Sequence, residues 1–175
     1  QVIVPRKGVQ EMTRFLEDSG ESVELQIGSN HLRANLPGLT FTSKLIDGRF
    51  PDYNKVIPAN QSKHVLVKRG VFGETLHRAA ILSNEKYRGV RFGLSKGLMT
   101  LIAHNPEQEE AQEELAVNYS GDDMEIGFNV NYIADAVSAL DSEDVEFGLS
   151  DPNSSCILRA PANKQHLYVV MPMRL

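Results

Sequence analysis

One short pattern occurs three times in this chain: VELQI at residues 23–27, VRFGL at 90–94 and VEFGL at 145–149, the last two differing at one position. Each alternates apolar with polar side chains, as a strand with one buried face does. Turn-forming residues follow each (GSN at 28–30, SKG at 95–97, DPNS at 151–154), and partner strands are predicted over 31–36, 98–103 and 155–160. Within those partners LRA at 32–34 recurs as LRA at 158–160, shifted in register relative to the turn. An amphipathic helix is predicted ahead of each pattern. The first, about residues 5–17, places Val9, Met12 and Leu16 on one face. The second, about 69–82, has Phe72, Leu76, Ala79 and Ala80; the third starts from Asn129 as N-cap and has Val130, Ile133, Ala134, Val137 and Leu140.

The repeating unit is therefore a strand, a helix and three strands, which gives an α+β class: antiparallel sheets carrying helices on one face. Residues 47–61 hold Pro51, Pro58 and a turn-forming Asp47-Gly48, and read as a connection between units. Two units pair into one domain over about residues 61–175. The odd unit at 1–58 implies a chain that starts part-way through a larger architecture.

No apolar run is long enough to cross a bilayer, and the first residues lack the apolar stretch of a signal peptide. A lone cysteine, Cys156, excludes an internal disulfide and fits a reducing cytoplasm; its strand setting predicts a buried structural thiol. The formal net charge of −5 is unevenly spread. Residues 1–58 balance seven basic against seven acidic groups, residues 59–120 carry eight against seven, and residues 121–175 carry three against nine. These parts of the chain are expected to face different things.

Catalytic signatures are missing. There is no phosphate-binding GxxxxGK[ST] loop; Gly8, Gly20 and Gly28 are spaced for turns. The five histidines, His31, His64, His77, His104 and His166, form no i,i+4 pair. The run at 107–114 holds five glutamates in eight residues without the Gly and Asn that interleave calcium loops, so a solvated or docking surface is expected there. Basic residues are better placed. Arg6, Lys7 and Arg14 fall on or beside the first helix, Lys68, Arg69, His77 and Arg78 on the second, and Lys86, Arg88 and Arg91 just beyond it. Basic helix faces in a row make a sequence-blind phosphate track, although the third helix carries Asp135 and no cation. A generic solvated helix surface explains the same residues.

The ending, YVVMPMRL at 168–175, is unusually apolar for a terminus. Leu167, Val169 and Met171 alternate with His166, Tyr168 and Val170 as in a buried strand, which Pro172 stops. Two readings stay open: a tail packed back on the core, or a Met-lined patch for a partner.

That tail, AAILSNEK at 79–86 with RGV at 88–90, NPEQEE at 105–110 and TSKLIDGRFPDY at 42–53 together resemble the bacterial sliding clamp family, the beta subunits of the replicative DNA polymerase III holoenzyme. The resemblance runs over essentially all 175 residues. It implies the DNA clamp fold, with three similar domains of two units each, and two chains closing a ring around duplex DNA. Helices would line the hole, which reconciles DNA tracking with an acidic net charge. Residues 1–55 would be the second half of the middle domain, 56–61 a linker and 62–175 the third domain. No cofactor and no catalysis are implied, and no membrane association.

By the same resemblance, a peptide-binding groove serves the replicative polymerase, the clamp loader and repair polymerases. Its wall here would be Pro51, Lys55, Val56, Asn129, Tyr132, Asn153, Ser155, Val169, Val170, Met171, Pro172, Met173, Arg174 and Leu175. Lys55 stands where arginine is common in the family, and Asn153 where an aliphatic residue is common. DNA-facing cations would be Arg6, Lys7, Lys68, Arg69, Arg78 and Arg88. The homodimer contact would use Ile81 and Leu82 with Glu107, Glu109, Glu110 and Glu113. Two rival classes are a free-standing peptide-binding module that never encircles DNA, and a metal enzyme built on the acidic run.

Overall fold

The computed structural model describes residues 1–16 and 22–175, the side chains of Lys164 and Gln165 apart. By its internal contacts the chain divides into two compact units, Gln1–Asp52 and Tyr53–Leu175.

The first unit contains helix α1 (Arg6–Phe15) and a three-stranded antiparallel sheet of β1 (Glu24–Ile27), β2 (His31–Leu36) and β3 (Leu39–Lys44), in that order. A single bridge, Ile3 to Ile46, joins the stretch before α1 to the stretch after β3. Gly8 lies where α1 meets β3: a Cβ there would come within 2.6 Å of Ser43 Oγ. Leu32, Ala34 and Leu45 are buried, and Phe15 packs against Phe41. The predicted stripe of α1 is not covered within this unit. Val9 and Leu16 are exposed and Met12 is half-buried; Glu17, the expected helix end, lies outside the described residues. Every residue of β1 is exposed, against the half-buried strand expected at 23–27. The apolar period is present in both elements, but no opposing layer covers it inside the unit.

The second unit opens with the one-turn helix α2 (Tyr53–Val56), followed by two full copies of the repeat. The first copy is β4 (Lys63–Lys68), α3 (Arg69–Ile81), β5 (Gly89–Ser95), β6 (Leu98–His104) and β7 (Glu110–Ala116). The second is β8 (Met124–Asn129), α4 (Val130–Ser138), β9 (Asp144–Leu149), β10 (Cys156–Ala160) and β11 (Asn163–Val170). Their sheets exchange a strand. One sheet runs β7-β6-β5-β8 and the other β11-β10-β9-β4, so the first strand of each copy completes the sheet of the other. All pairings are antiparallel.

The two sheets and two helices enclose one core. Phe72 from α3, Phe92 from β5, Phe128 from β8 and Phe147 from β9 are fully buried, their ring centroids 5.4–6.4 Å apart in five pairs. Tilted and edge-on ring contacts of this kind add to the burial gain. The predicted helix stripes hold here. Phe72, Leu76 and Ala79 of α3, and Val130, Ile133 and Val137 of α4 with Leu140 just beyond it, are buried, while Ala80 and Ala134 pack at the margin. Asn129 caps α4: its side-chain oxygen accepts from the Asn131 N–H at 3.0 Å.

Both open edges between the sheets are closed by matching bridges. Leu66 of β4 exchanges two backbone bonds with Asn118, of 3.0 and 2.8 Å, just past β7. Gly127 of β8 accepts from the Met173 N–H at 2.8 Å, just past β11. Leu66 and Gly127 hold the same position in the two copies, so the tail repeats a closure already made once.

The parity of β11 is opposite to the expected one. Val170 is buried and Tyr168 packs against the core, whereas Leu167 is exposed and Met171 is 71 % exposed. Pairing decides this: Val170 faces Cys156 and Tyr168 faces Leu158, both fully buried on the inner side of β10.

Candidate interaction sites

The tail shapes two depressions on the second unit. Tyr132, Asp135 and Ala136 from α4, with Tyr168, Val169, Val170 and Met171, line a mostly apolar one of about 440 Å³. Tyr132 is 62 % exposed, so an aromatic ring and a methionine stand side by side in solvent at the seam of a helix and a sheet edge. Asp135 is the polar group beside them. Tyr132, Val169, Val170 and Met171 were expected together; Asp135 and Ala136 were not, although i,i+3 and i,i+4 spacing from Tyr132 puts them on the same helix face.

The rest of the tail lies elsewhere. Met173, Arg174 and Leu175 border a second depression of about 410 Å³ with Asn84, Tyr87, Gly89, Arg91, Ile102 and His104. Pro172 separates the two. Asn129 is occupied by the fold, capping α4 and donating from Nδ2 to the Tyr87 carbonyl at 3.2 Å. Asn153 sits in the β9–β10 turn, where its N–H donates to Asp151 Oδ1 at 2.8 Å. Ser154 and that backbone N–H hold the Asp151 carboxyl below its ordinary range. Ser155 precedes Cys156, the partner of Val170, and so stands at the sheet end where the tail departs. Lys55 and Val56 are exposed on α2, and Pro51 is exposed at the end of the first unit.

Four of the six expected DNA-facing cations are engaged within the fold. Lys68 Nζ lies 2.8 Å from Glu143 and 3.0 Å from Asp144, which raise its pKa. Arg69 Nε donates to the Ser142 carbonyl at 2.8 Å. Arg78 forms a two-bonded pair with Glu113, at 3.0 and 2.9 Å, which lowers the Glu113 pKa and raises that of Arg78. Arg88, held at a positive φ of 51°, donates to the Ala80 carbonyl at 3.2 Å and closes the end of α3. Arg6 and Lys7 are exposed on α1 and make no ion pair among the described residues. The Lys68 contacts are exposed pairs, which contribute little to stability and exchange partners readily.

Four of the six residues expected at a subunit contact lie together at one end of the second unit. Ile81, 68 % exposed, and Leu82 border a depression with Glu107 and Glu109. Glu109 is fixed by Asn105, which donates to its carboxylate at 2.6 Å and accepts from its N–H at 2.8 Å. Strand alternation disperses the remainder of the acidic run. Glu110 reaches His104 at 3.6 Å on one face of β7, and Glu113 turns to Arg78 on the other. Among the described residues no three His, Cys, Asp or Glu side chains converge on a point where a metal could sit. Burial pushes the Cys156 thiol far up, which leaves it unreactive in the fold.

Similarity to known proteins covers both units. The family model described as DNA polymerase III beta subunit, C-terminal domain, matches residues 54–174, and that of the central domain matches residues 1–52. The beta sliding clamp of Proteus mirabilis is 53 % identical over 175 residues, covering 99 % of this chain and 48 % of that protein. A crystal structure of the DNA polymerase sliding clamp from Pseudomonas aeruginosa with ligand superposes with a TM-score of 0.91 at 51 % identity, covering 100 % of this chain and 48 % of that one. The sliding clamp of the same organism bound to griselimycin gives a TM-score of 0.89 at 50 % identity, with 99 % and 47 % covered. The chain spans about half the length of the curated relatives it matches. Two family models in tandem, a shared fold and half-identical relatives agree: this chain belongs to the DNA polymerase III beta subunit family.

Proposed function

We propose that this chain is part of a DNA sliding clamp, a non-enzymatic processivity factor of the bacterial replicative polymerase that works in the cytoplasm. Residues 1–55 act as the second half of a middle domain, 56–61 as a linker and 62–175 as the third domain. Two protomers close a ring around duplex DNA, meeting through Ile81, Leu82, Glu107 and Glu109. No helix among the described residues is long and apolar enough to cross a membrane.

The observation that carries the reading is the exposed pair Tyr132 and Met171 beside a depression built at the chain's end. Large apolar side chains clustered in solvent mark a place where another molecule docks, and methionine adapts to several such molecules. Short peptide segments of the replicative polymerase, the clamp loader and repair polymerases are the proposed occupants, and griselimycin, which the Pseudomonas aeruginosa clamp was solved bound to, is a further proposed occupant. Tethering then raises the polymerase's local concentration at the primer end without new contacts to DNA. The DNA contacts themselves are phosphate-directed and weak, as exposed cations that trade Glu143 or Asp144 for a phosphate would be.

The experiment is retention on circular duplex DNA after assembly by the clamp loader. A ring stays on a closed circle and leaves within one linearisation event; dissociation at equal rates from closed and cut circles would refute encirclement. In the same protein, removal of residues 171–175 is expected to abolish binding of a polymerase-derived peptide while leaving the far-ultraviolet circular dichroism unchanged.

A further inference from the structure

Gly89 and Gly127 have ordinary negative-side backbone geometry, since among the described residues the positive-φ glycines are Gly38, Gly48 and Gly97. Backbone conformation therefore does not demand glycine at either position. Space does at Gly127, where a Cβ would meet the Met173 carbonyl oxygen at 2.6 Å and the Leu175 side chain at 2.8 Å; at Gly89 the three atoms nearest a Cβ all belong to the end of the Leu175 side chain, which would have to turn aside. The two residues are neighbours across the β5–β8 pair, Gly89 facing Asn129 and Arg91 facing Gly127. Together they leave a bare strip of sheet on which Leu175 lies. The repeat isolates the cause: at the position equivalent to Gly127, β4 carries Leu66, whose bridge partner Asn118 needs no such seat.

We propose that Leu175, seated on Gly89 and Gly127, anchors the tail and so holds Met171 in place as a wall of the groove. Gly89 and Gly127 are positioning residues for a ligand they do not touch. The inference rests on the groove reading above, and it changes the part of Leu175 from groove wall to anchor. The tail leaves β11, crosses to the edge of the other sheet, and is fixed there by the Met173 N–H bond to Gly127 and by Leu175. Between these points stands Pro172, whose fixed φ transmits the direction of residue 173 back to residue 171. Met171 itself has little else to hold it, being the most exposed large apolar side chain among those described. A tail docked for only a tenth of the time would present its wall for a tenth of the time, and apparent affinity would fall about tenfold.

The test uses the protein as its gene encodes it, with griselimycin as probe, and compares Gly89→Ala, Leu175→Ala and the double variant. Titration calorimetry is expected to show Gly89→Ala weakening griselimycin by about tenfold, Leu175→Ala by a similar factor, and the double variant no further than Leu175→Ala. A purely destabilising Gly89→Ala would instead cost affinity in both backgrounds. Hydrogen exchange supplies the second readout: the Met173 amide should lose protection in Gly89→Ala while the amides of β9 and β10 keep theirs. Unchanged affinity in Gly89→Ala, additive losses in the double variant, or an unchanged Met173 amide each overturns the proposal. If the unaltered protein does not bind griselimycin, the groove reading fails, and the Met173 amide alone then decides whether Leu175 anchors the tail.

Discussion

Glu146 shows how much one side chain can concentrate. Arg159 donates two hydrogen bonds to its carboxylate, at 2.9 and 2.6 Å, and His64 Nδ1 lies 3.0 Å away. Both members of the ion pair are mostly shielded from solvent, and the Arg159 bonds hold the Glu146 carboxyl below its ordinary value of 4.5. The folded state thus prefers the charged form more than the unfolded chain does. The stability this contributes is present above the ordinary carboxylate pKa and is lost as pH falls through the lowered one. Glu146→Gln is expected to cost about 1–2 kcal/mol at neutral pH, between the values for exposed and buried pairs. Urea titrations across the acid range should show the gap between variant and parent closing below about pH 4. Equal gaps at neutral and acid pH would mean that packing, not charge, is responsible. None of this was legible in the sequence, because Glu146 and Arg159 are ordinary strand residues until β9 and β10 pair. The same holds for the cations. Their placement near the helices could be read, but the carboxylates that occupy Lys68 and Arg78 come from 35 to 76 residues further along the chain.

At the scale of elements, legibility follows polarity contrast. The stripes of α3 and α4 stand out because apolar residues recur at helical spacing among polar ones, and a single layer of core receives them. In β11 the contrast between the alternations is slight and misleading, because His166 lies on the same face as Tyr168 and Val170, and the inward face is set by pairing with Cys156 and Leu158. The seat of Leu175 left a different kind of trace. A glycine marks it by the absence of a side chain, which no periodicity reports; comparing Gly127 with Leu66 in the other copy of the repeat does. Asn129 is legible as a cap from its place before the apolar stripe, whereas its bond to the Tyr87 carbonyl, 42 residues away, is not. Asn129→Ala is expected to lower stability by about 1 kcal/mol through the lost cap, and Asn129→Asp, which keeps the accepting oxygen for the Asn131 N–H, by less. Thermal melts of the two variants side by side test this. If both lose the same amount, the Tyr87 bond and not the cap is what matters.

For the molecule as a whole, the first unit remains incomplete in its packing while the second is closed on every side. Val9, Phe15 and Leu16 of α1 and Leu25 and Ile27 of β1 stay in solvent, whereas Phe92 and Leu94 of β5 and Phe147 and Leu149 of β9, the counterparts of Leu25 and Ile27 in the repeat, are buried under the opposing copy. The difference is strand exchange. Because β4 belongs to the sheet of β9 and β8 to the sheet of β5, residues 53–121 and 122–175 are not separable halves. Made as two peptides, each should give the circular dichroism of an unfolded chain, and mixing them should restore a cooperative melt. An ordered half on its own would show that the exchanged strand is dispensable. The exchange also sets a timetable. Lys63 must wait for Leu149, and Lys68 for Asp144, before β4 has any sheet to join. Long-range pairing of this kind is slow because loop closure precedes any return. A chain emerging from the ribosome therefore carries Val65, Leu66 and Val67 as an unpaired, sticky edge until Asp144–Leu149 has followed them out. Selection for safe biosynthesis should weigh on those three residues as much as selection for the finished fold.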